Sequence, residues 1–417
     1  MGEGGGGRAI VVGGSIAGLS CAHSLIAVGW KVLVLEKSCE PSIGSPTGAG
    51  LGLDPQARRF LDQWLSRLGL LHSITLPLTI DQNQATDSEK KTTQILTRDE
   101  SFNFRAAHWA DLHKLLYETL PPGVVLWGHQ FVSLTTSSVN ASVIVKAESL
   151  PKKEDLEFVG DLLVAADGCM SMIRKRFLPD FKLRYLGYYA WRGVLDFSEN
   201  EDSDTITGLR KVYPELGSCL YFDLAHQTHI VLYELKHKRL NWIWYINGPE
   251  PELQGSSVTM KVNHEMVTKM HDEADKVWVP ELARLMKQTE SPFVNVIYDC
   301  DPPPRLAWGG NVVLVGDAAH PTSPHGLRST NMSVLDAAVL GQCLQKCGPN
   351  GLASALEEYE SLRLPVVAAQ VAHSRRLGRV KQGLGVGGEE GLFDVNSLQQ
   401  RWMPFFGSAA CVGDHKC

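Results

Sequence analysis

Three short stretches of this chain set glycine and a polar group where a helix is about to begin: GGSIAG at Gly13–Gly18, DGCMSMIR at Asp167–Arg174 and GDAAHP at Gly316–Pro321. Glycine lets a backbone approach a ligand closely. The first N–H groups of a helix have no partner within it, so such a junction offers donors to an anion. The first stretch reads GxSxxG, with Ser15 where a second glycine is usual. Gly13, Gly14, Ser15, Ile16, Ala17 and Gly18 are thereby expected to line a pyrophosphate. Glu36, followed by Lys37, stands 18 residues after Gly18, placed to accept hydrogen bonds from a ribose 2′-OH. Arg174 is spaced to clamp phosphate oxygens bidentately. Asp167 and Asp317 are expected at strand ends, where α/β sheets hold their ligands.

Each junction needs a strand before it and a helix after it. Arg8–Val12 and Lys31–Glu36 read as strands around a helix at Leu19–Val28, one βαβ unit. An apolar run leads into Asp167-Gly168. Val312–Val315 reads as a buried strand, and from about Thr330 the apolar residues Met332, Leu335, Ala338 and Val339 recur at helical spacing. Phe60–Leu71 and Trp109–Leu120 are helical by pattern, the latter closed by Pro121-Pro122-Gly123. Thr75–Phe104 and Val124–Glu157 read as strands, with a charged hairpin at Pro151–Asp155. The region from Tyr185 to Tyr298 is rich in β-branched and aromatic residues, with helical pattern at Val258–Arg284, and reads as an inserted β-sheet domain. Leu352–Lys381 reads as a helix kinked at Pro365, followed by an irregular tail, Gln382–Cys417.

The bulk numbers bound the function. At 417 residues, 44% apolar and 21% charged, the chain is a globular protein of two domains, or one with a large insertion. A net charge of −6 argues against nucleic acid or an anionic membrane as the main partner. The nine cysteines are scattered without a CxxC pair, which points to no metal site and to a reducing, cytoplasmic compartment. Ala9–Trp30 lacks Asp, Glu, Lys and Arg, but its glycines divide it into strand, turn and helix, so no membrane span or signal is read there. The leader Gly2–Gly7 reads as a disordered tail.

In this order the three stretches resemble the GxGxxG, DG (DGxxSxxR) and GD motifs of the FAD-dependent aromatic hydroxylases. These are the p-hydroxybenzoate hydroxylase-like flavin monooxygenases, and the similarity is nearest to their 2,6-dihydroxypyridine hydroxylase-like and plant branch. It implies an α/β fold: a Rossmann-like FAD-binding domain (residues 8–74, 106–180 and 301–350), an inserted mainly-β substrate domain (75–105 and 181–300) and a C-terminal helix with an irregular tail (351–417). It implies FAD as cofactor, NADPH or NADH as electron donor, and insertion of one O2 atom into a small aromatic or heteroaromatic substrate through a flavin C4a-hydroperoxide. The protein is expected to be a monomer or homodimer. Gly13, Ser15 and Gly18 fall to the pyrophosphate, Glu36 to the adenosine ribose and Asp317 to the ribitol chain. Asp167 and Arg174 fall to FAD and NAD(P)H, and Pro324 and Asn331 to the isoalloxazine ring.

Besides Ser15, two places depart from the family pattern. Trp109 stands where members often carry an arginine that reaches the FAD phosphates, with Arg105 or Lys114 as possible replacements. Leu327-Arg328-Ser329 stands where many read GQG. Arg328 either faces the flavin, where it would stabilise negative charge on the reduced ring, or points to solvent. His325, Arg328 and Tyr221 are the expected catalytic residues, and Tyr189, Arg192, Tyr233 and Trp244 are further candidates on the substrate side. His320 is expected to fix the motif's turn. Epoxidation or Baeyer–Villiger oxygenation on the same flavin is the alternative chemistry. Halogenation, faintly suggested by Trp242–Ile246, and a non-catalytic flavin-fold binding protein are weaker alternatives.

Overall fold

The structure is a computed structural model that describes residues 6–41, 48–65, 69–137, 142–253, 257–260, 262–348, 350–385 and 395–400. Most of the Gly-rich leader and most of the 382–417 tail lie outside these residues.

Its organising element is a six-stranded sheet in the order Ala307–Trp308, Val312–Leu314, Leu162–Ala165, Arg8–Val12, Lys31–Glu36, Val125–Trp127. The strands run parallel except at the first pair. Both faces are covered, which is why Ile10, Val11, Leu163, Val164, Val313 and Leu314 read as continuous apolar runs and are buried. The register does more than stack these runs. Val12 pairs with Ala165, and Ala165 with Leu314. The three motifs, over 300 residues apart in sequence, therefore leave the sheet side by side at one edge. Helix Ile16–Ala27 follows the first, and the 20-residue helix Arg328–Cys347 follows the third.

An eight-stranded sheet stands opposite, in the order Thr259–Met260, Phe293–Asp299, Arg184–Asp196, Arg239–Asn247, Thr228–Leu235, Cys219–Ala225, Ile80–Asp87, Thr92–Asp99. Strand alternation gives it two different faces. Trp191, Tyr221, Leu232, Trp242 and Trp244 pack against helices Asp204–Val212, His264–Val277 and Pro280–Gln288. Tyr188, Ala190, Phe222, Tyr233, Ile243 and Tyr245 form the other face. A small sheet of Gly50–Leu53, Phe104–His108 and Thr75–Leu78 is a separate ladder, tied to the large sheet by the Gly50 N–H donating to Asn241 Oδ1 at 2.6 Å, and Thr75–Leu78 does not share a sheet with its neighbour Ile80–Asp87.

The stretch read as one helix over Phe60–Leu71 includes two, Pro55–Trp64 and Leu70–Ile74, the first capped by the Asp54 carboxylate at Ala57 N–H. Helix Leu352–Lys381 carries Pro365 inside it and delivers its last residues to the open face of the large sheet.

Candidate active site

A cavity of about 590 Å³ lies between the motif edge of the six-stranded sheet and the Phe222–Tyr245 face of the large one. Ser15, Ile16, Ala17 and Trp109 line one end; Asp317, Pro321, Pro324 and Leu327 line the middle; Arg192, Phe222, Tyr233, Ile243 and Tyr245 form the far wall.

At the first end, helix Ile16–Ala27 begins without a side-chain cap and without an acidic residue in its first turn. Its leading N–H groups open onto the cavity, an uncapped donor set of the kind that holds phosphate. Gly13 takes φ +106° and packs so closely that a Cβ would lie 2.3 Å from the Ala166 carbonyl. Gly316, at φ +56°, leaves room for Ala17 and Ser333 in the same way. Glu36 receives the Gly14 N–H at 2.6 Å and the Ser38 N–H at 2.8 Å, closing the glycine turn; neither it nor Lys37 lines the cavity. Asp317 does face the cavity. Ser329 Oγ donates to it at 2.8 Å, and burial pushes its carboxyl above the usual carboxylate range. These residues fit the diphosphate and polyol of a flavin dinucleotide.

Other expected site residues hold the loops instead. Arg174 is buried, and its guanidinium donates to the carbonyls of Ala318 (2.8 Å), Asp317 (3.1 Å) and Cys169 (2.5 Å). Bonds from Nη1 and Nη2 to these carbonyls make it a strut between two motifs and not the expected phosphate clamp, while its buried Nε has no partner. Asp167 accepts from Ser171 Oγ at 2.5 Å and Ile173 N–H at 3.2 Å, capping the next helix. Asn331, expected beside the flavin ring, bridges the Gly52 and Leu327 carbonyls and accepts the Asp54 N–H. Arg105 bonds Thr75 and Lys114 pairs with Glu118, so neither replaces the missing arginine at position 109.

Arg328 faces neither bulk solvent nor the cavity as a free charge. It is buried, bonded to Asp54 at 2.6 Å, and lies at the cavity edge. Leu327 before it adopts the left-handed conformation (φ +57°), the position where a glycine would be unstrained. Behind this loop Asp336 accepts from Gly316 N–H (2.8 Å), bonds His320 Nε2 (2.6 Å) and accepts from Arg363 Nε (2.7 Å). Burial alone would raise its carboxyl; His320 and Arg363 outweigh that and hold it down. Asp54 and Asp336 escaped the sequence reading. The Asp-Pro start of a helix signalled Asp54, but nothing local signalled Asp336.

The far wall corrects the substrate-side expectations. Tyr221, Tyr189 and Trp244 point to the back of the sheet; the Tyr221 hydroxyl accepts the Glu215 N–H at 3.1 Å. Residues an odd number of positions from them, Arg192, Phe222 and Tyr245, face the cavity together with Tyr233. Arg192 lies against the Tyr245 hydroxyl, and no carboxylate pairs with it among the described residues. The Tyr233 hydroxyl is buried without a partner. Burial pushes the Tyr245 phenol up to about 12, so it stays protonated as a donor.

His325 lines the cavity, but both ring nitrogens are taken. Gln382 Nε2 donates to Asn247, which turns Gln382 Oε1 toward His229 Nδ1 at 2.7 Å. His229 Nδ1 must therefore carry the proton, and its Nε2 accepts from His325 Nε2–H at 3.2 Å. His325 Nδ1 accepts from the Tyr188 hydroxyl at 3.4 Å, while Ser323, at 3.1 Å, gives its own proton to the Ser374 carbonyl. Burial drives the imidazole pKa values down, to about 3 for His229 and well below the ordinary value for His325, with Lys381 adding to both and His229 to His325. His325 is a neutral, engaged imidazole and not a free substrate base.

Comparison with known proteins agrees with this geometry. The FAD binding domain family matches residues 8–184 and 307–374. The chain is 28% identical over 389 residues to a 3-hydroxybenzoate 6-hydroxylase of Klebsiella oxytoca, covering 91% of this chain and 90% of that one. It is 26% identical over 380 residues to a 2,6-dihydroxypyridine 3-monooxygenase of Paenarthrobacter nicotinovorans (86% and 87% covered). The solved 2,6-dihydroxypyridine-3-hydroxylase of Arthrobacter nicotinovorans superposes with a TM-score of 0.75 at 25% identity, over 93% of this chain and 98% of that one. An uncapped helix, a glycine turn and a GD loop at one sheet edge fit a flavin dinucleotide. The chain belongs to the FAD-binding domain family and, within it, to the FAD-dependent aromatic hydroxylases, the p-hydroxybenzoate hydroxylase-like flavin monooxygenases.

Proposed function

We propose that this enzyme inserts one atom of O2 into an electron-rich aromatic or heteroaromatic small molecule, with NADPH or NADH as electron donor. The observation that carries this reading is Arg192, a cation without a carboxylate partner among the described residues, on an aromatic and aliphatic wall across the cavity from Asp317. When bound, FAD supplies the redox and oxygen chemistry, and the protein supplies binding, orientation and exclusion of water.

Phe222, Val231 and Ile243 offer a flat apolar surface to a planar ring. Arg192 favours the ionised form of a hydroxyl or ring nitrogen on that ring, and the ionised form is the more electron-rich one. The Tyr233 and Tyr245 hydroxyls are further donors that fix its orientation. Among the described residues no helix is long and apolar enough to cross a membrane. We infer a cytoplasmic enzyme acting as monomer or homodimer.

The test is a panel of phenols, indoles and N-heterocycles offered to FAD-reconstituted protein, scored by NAD(P)H oxidation, O2 uptake and product mass. An aromatic that raises all three and gains one oxygen atom is the expected outcome. A protein that cannot be reconstituted with FAD, or that yields no oxygenated product from any aromatic, overturns the reading.

A further inference from the structure

Among the described residues, no Lys or Arg lines the cavity end that would receive the dinucleotide phosphates. Arg174 holds three carbonyls, Arg105 bonds Thr75, Lys114 pairs with Glu118, and Arg328 is matched by Asp54. Arg192 stands on the opposite wall. Residues 42–47, which precede the lining residue Gly48, contain neither Lys nor Arg.

What occupies that end is an aromatic stack. The Trp109 indole lies parallel to the His113 imidazole, with centroids 4.8 Å apart and 17° between planes. His113 Nε2 bonds the Gly14 carbonyl at 2.9 Å, and its ring meets Trp127 edge-on at 6.2 Å. Burial lowers the His113 pKa, so the ring adds no cation near neutral pH. The stack thus starts on the glycine turn itself and sets the indole beside the uncapped start of helix Ile16–Ala27.

We propose that this enzyme holds the FAD diphosphate through backbone N–H groups and the Trp109 stack, with no side-chain cation, and that its flavin is consequently exchangeable. The inference rests on the flavoenzyme reading above. Two physical consequences follow. Binding without a cation–phosphate contact leaves only the weaker attraction of the helix N-terminus for salt to screen, and for a chain of net charge −6 added salt also relieves repulsion of the dianionic ligand. A charge-assisted bond is also missing, so an arginine introduced at this place adds one.

The test is equilibrium titration of apo-protein with FAD, followed by quenching of flavin fluorescence, at low and high NaCl. For the unmodified chain we expect affinity that is unchanged or rises with salt. Trp109→Arg is expected to bind FAD about ten- to a hundredfold more tightly and to weaken as salt is added. Trp109→Ala, which removes the stack, is expected to bind more weakly at every salt concentration. A steep loss of affinity with salt in the unmodified protein reveals a phosphate-binding cation and overturns the proposal without any variant. So does a folded Trp109→Arg, checked by circular dichroism, that binds no tighter. Failure to bind FAD under any condition would instead remove the flavoenzyme reading itself.

Discussion

His229 and His325 meet Nε2 to Nε2 at 3.2 Å, a contact with room for one proton between two rings buried in the protein. Neither imidazole charges readily, and that gives the fold an acid-sensitive point. In the unfolded chain both titrate near 6.5, whereas in the folded chain both lie lower, His229 at about 3. Below pH 6.5 the unfolded state therefore binds more protons than the folded one. The stability from these groups is fully present above that pH and is lost as pH falls toward 3, by up to about 1.4 kcal/mol per pH unit for each ring. Urea midpoints measured between pH 7.5 and 4.5 should fall accordingly, and His229→Gln should flatten the slope. An unchanged slope in that variant would show that the pair is not its source.

Arg328 and Asp54 form a buried ion pair at 2.6 Å, and Asp54 also caps helix Pro55–Trp64. Arg328→Met leaves the carboxylate buried and uncompensated, a loss of about 3–5 kcal/mol. Denaturant titration should show this, with Asp54→Asn in the same chain recovering part of it. A variant as stable as the unmodified protein would mean the charge of Arg328 is not needed by the fold.

Asp317 reaches the cavity with one oxygen held by Ser329. Removing it in Asp317→Ala should weaken FAD retention by roughly ten- to a hundredfold, the worth of one charged hydrogen bond. The flavin content of reconstituted, gel-filtered protein reads this directly. Equal flavin content in both proteins would take Asp317 out of the cofactor site.

The two tyrosines 221 and 233 should separate cleanly. Tyr221→Phe loses only a hydroxyl bonded to the Glu215 backbone behind the sheet, so kcat/KM for any substrate should stay within about twofold. Tyr233→Phe and Arg192→Gln alter the cavity wall and should raise KM by about tenfold or more for an ionisable aromatic. A Tyr221→Phe variant with tenfold lower kcat/KM would reinstate that residue.

The sequence by itself determined the cofactor class and the fold class. GxSxxG, DGxxSxxR and GDAAHP are local patterns, each a strand end feeding a helix, and local patterns survive without knowledge of what packs on them. The sequence also carried the β-branched and aromatic character of the region from Tyr185 to Tyr298, but not which face of its strands met the cavity. That choice was made when the large sheet laid Tyr221 and Trp244 on helices and left Arg192, Tyr233 and Tyr245 open. Tertiary structure alone also decided the partners of the charged residues. Arg174 became a strut, Arg328 found Asp54 from 274 positions away, and Asp336 gathered Gly316, His320 and Arg363. A buried charge must be matched wherever the fold brings a partner, and nothing in the spacing along the chain records where that will be.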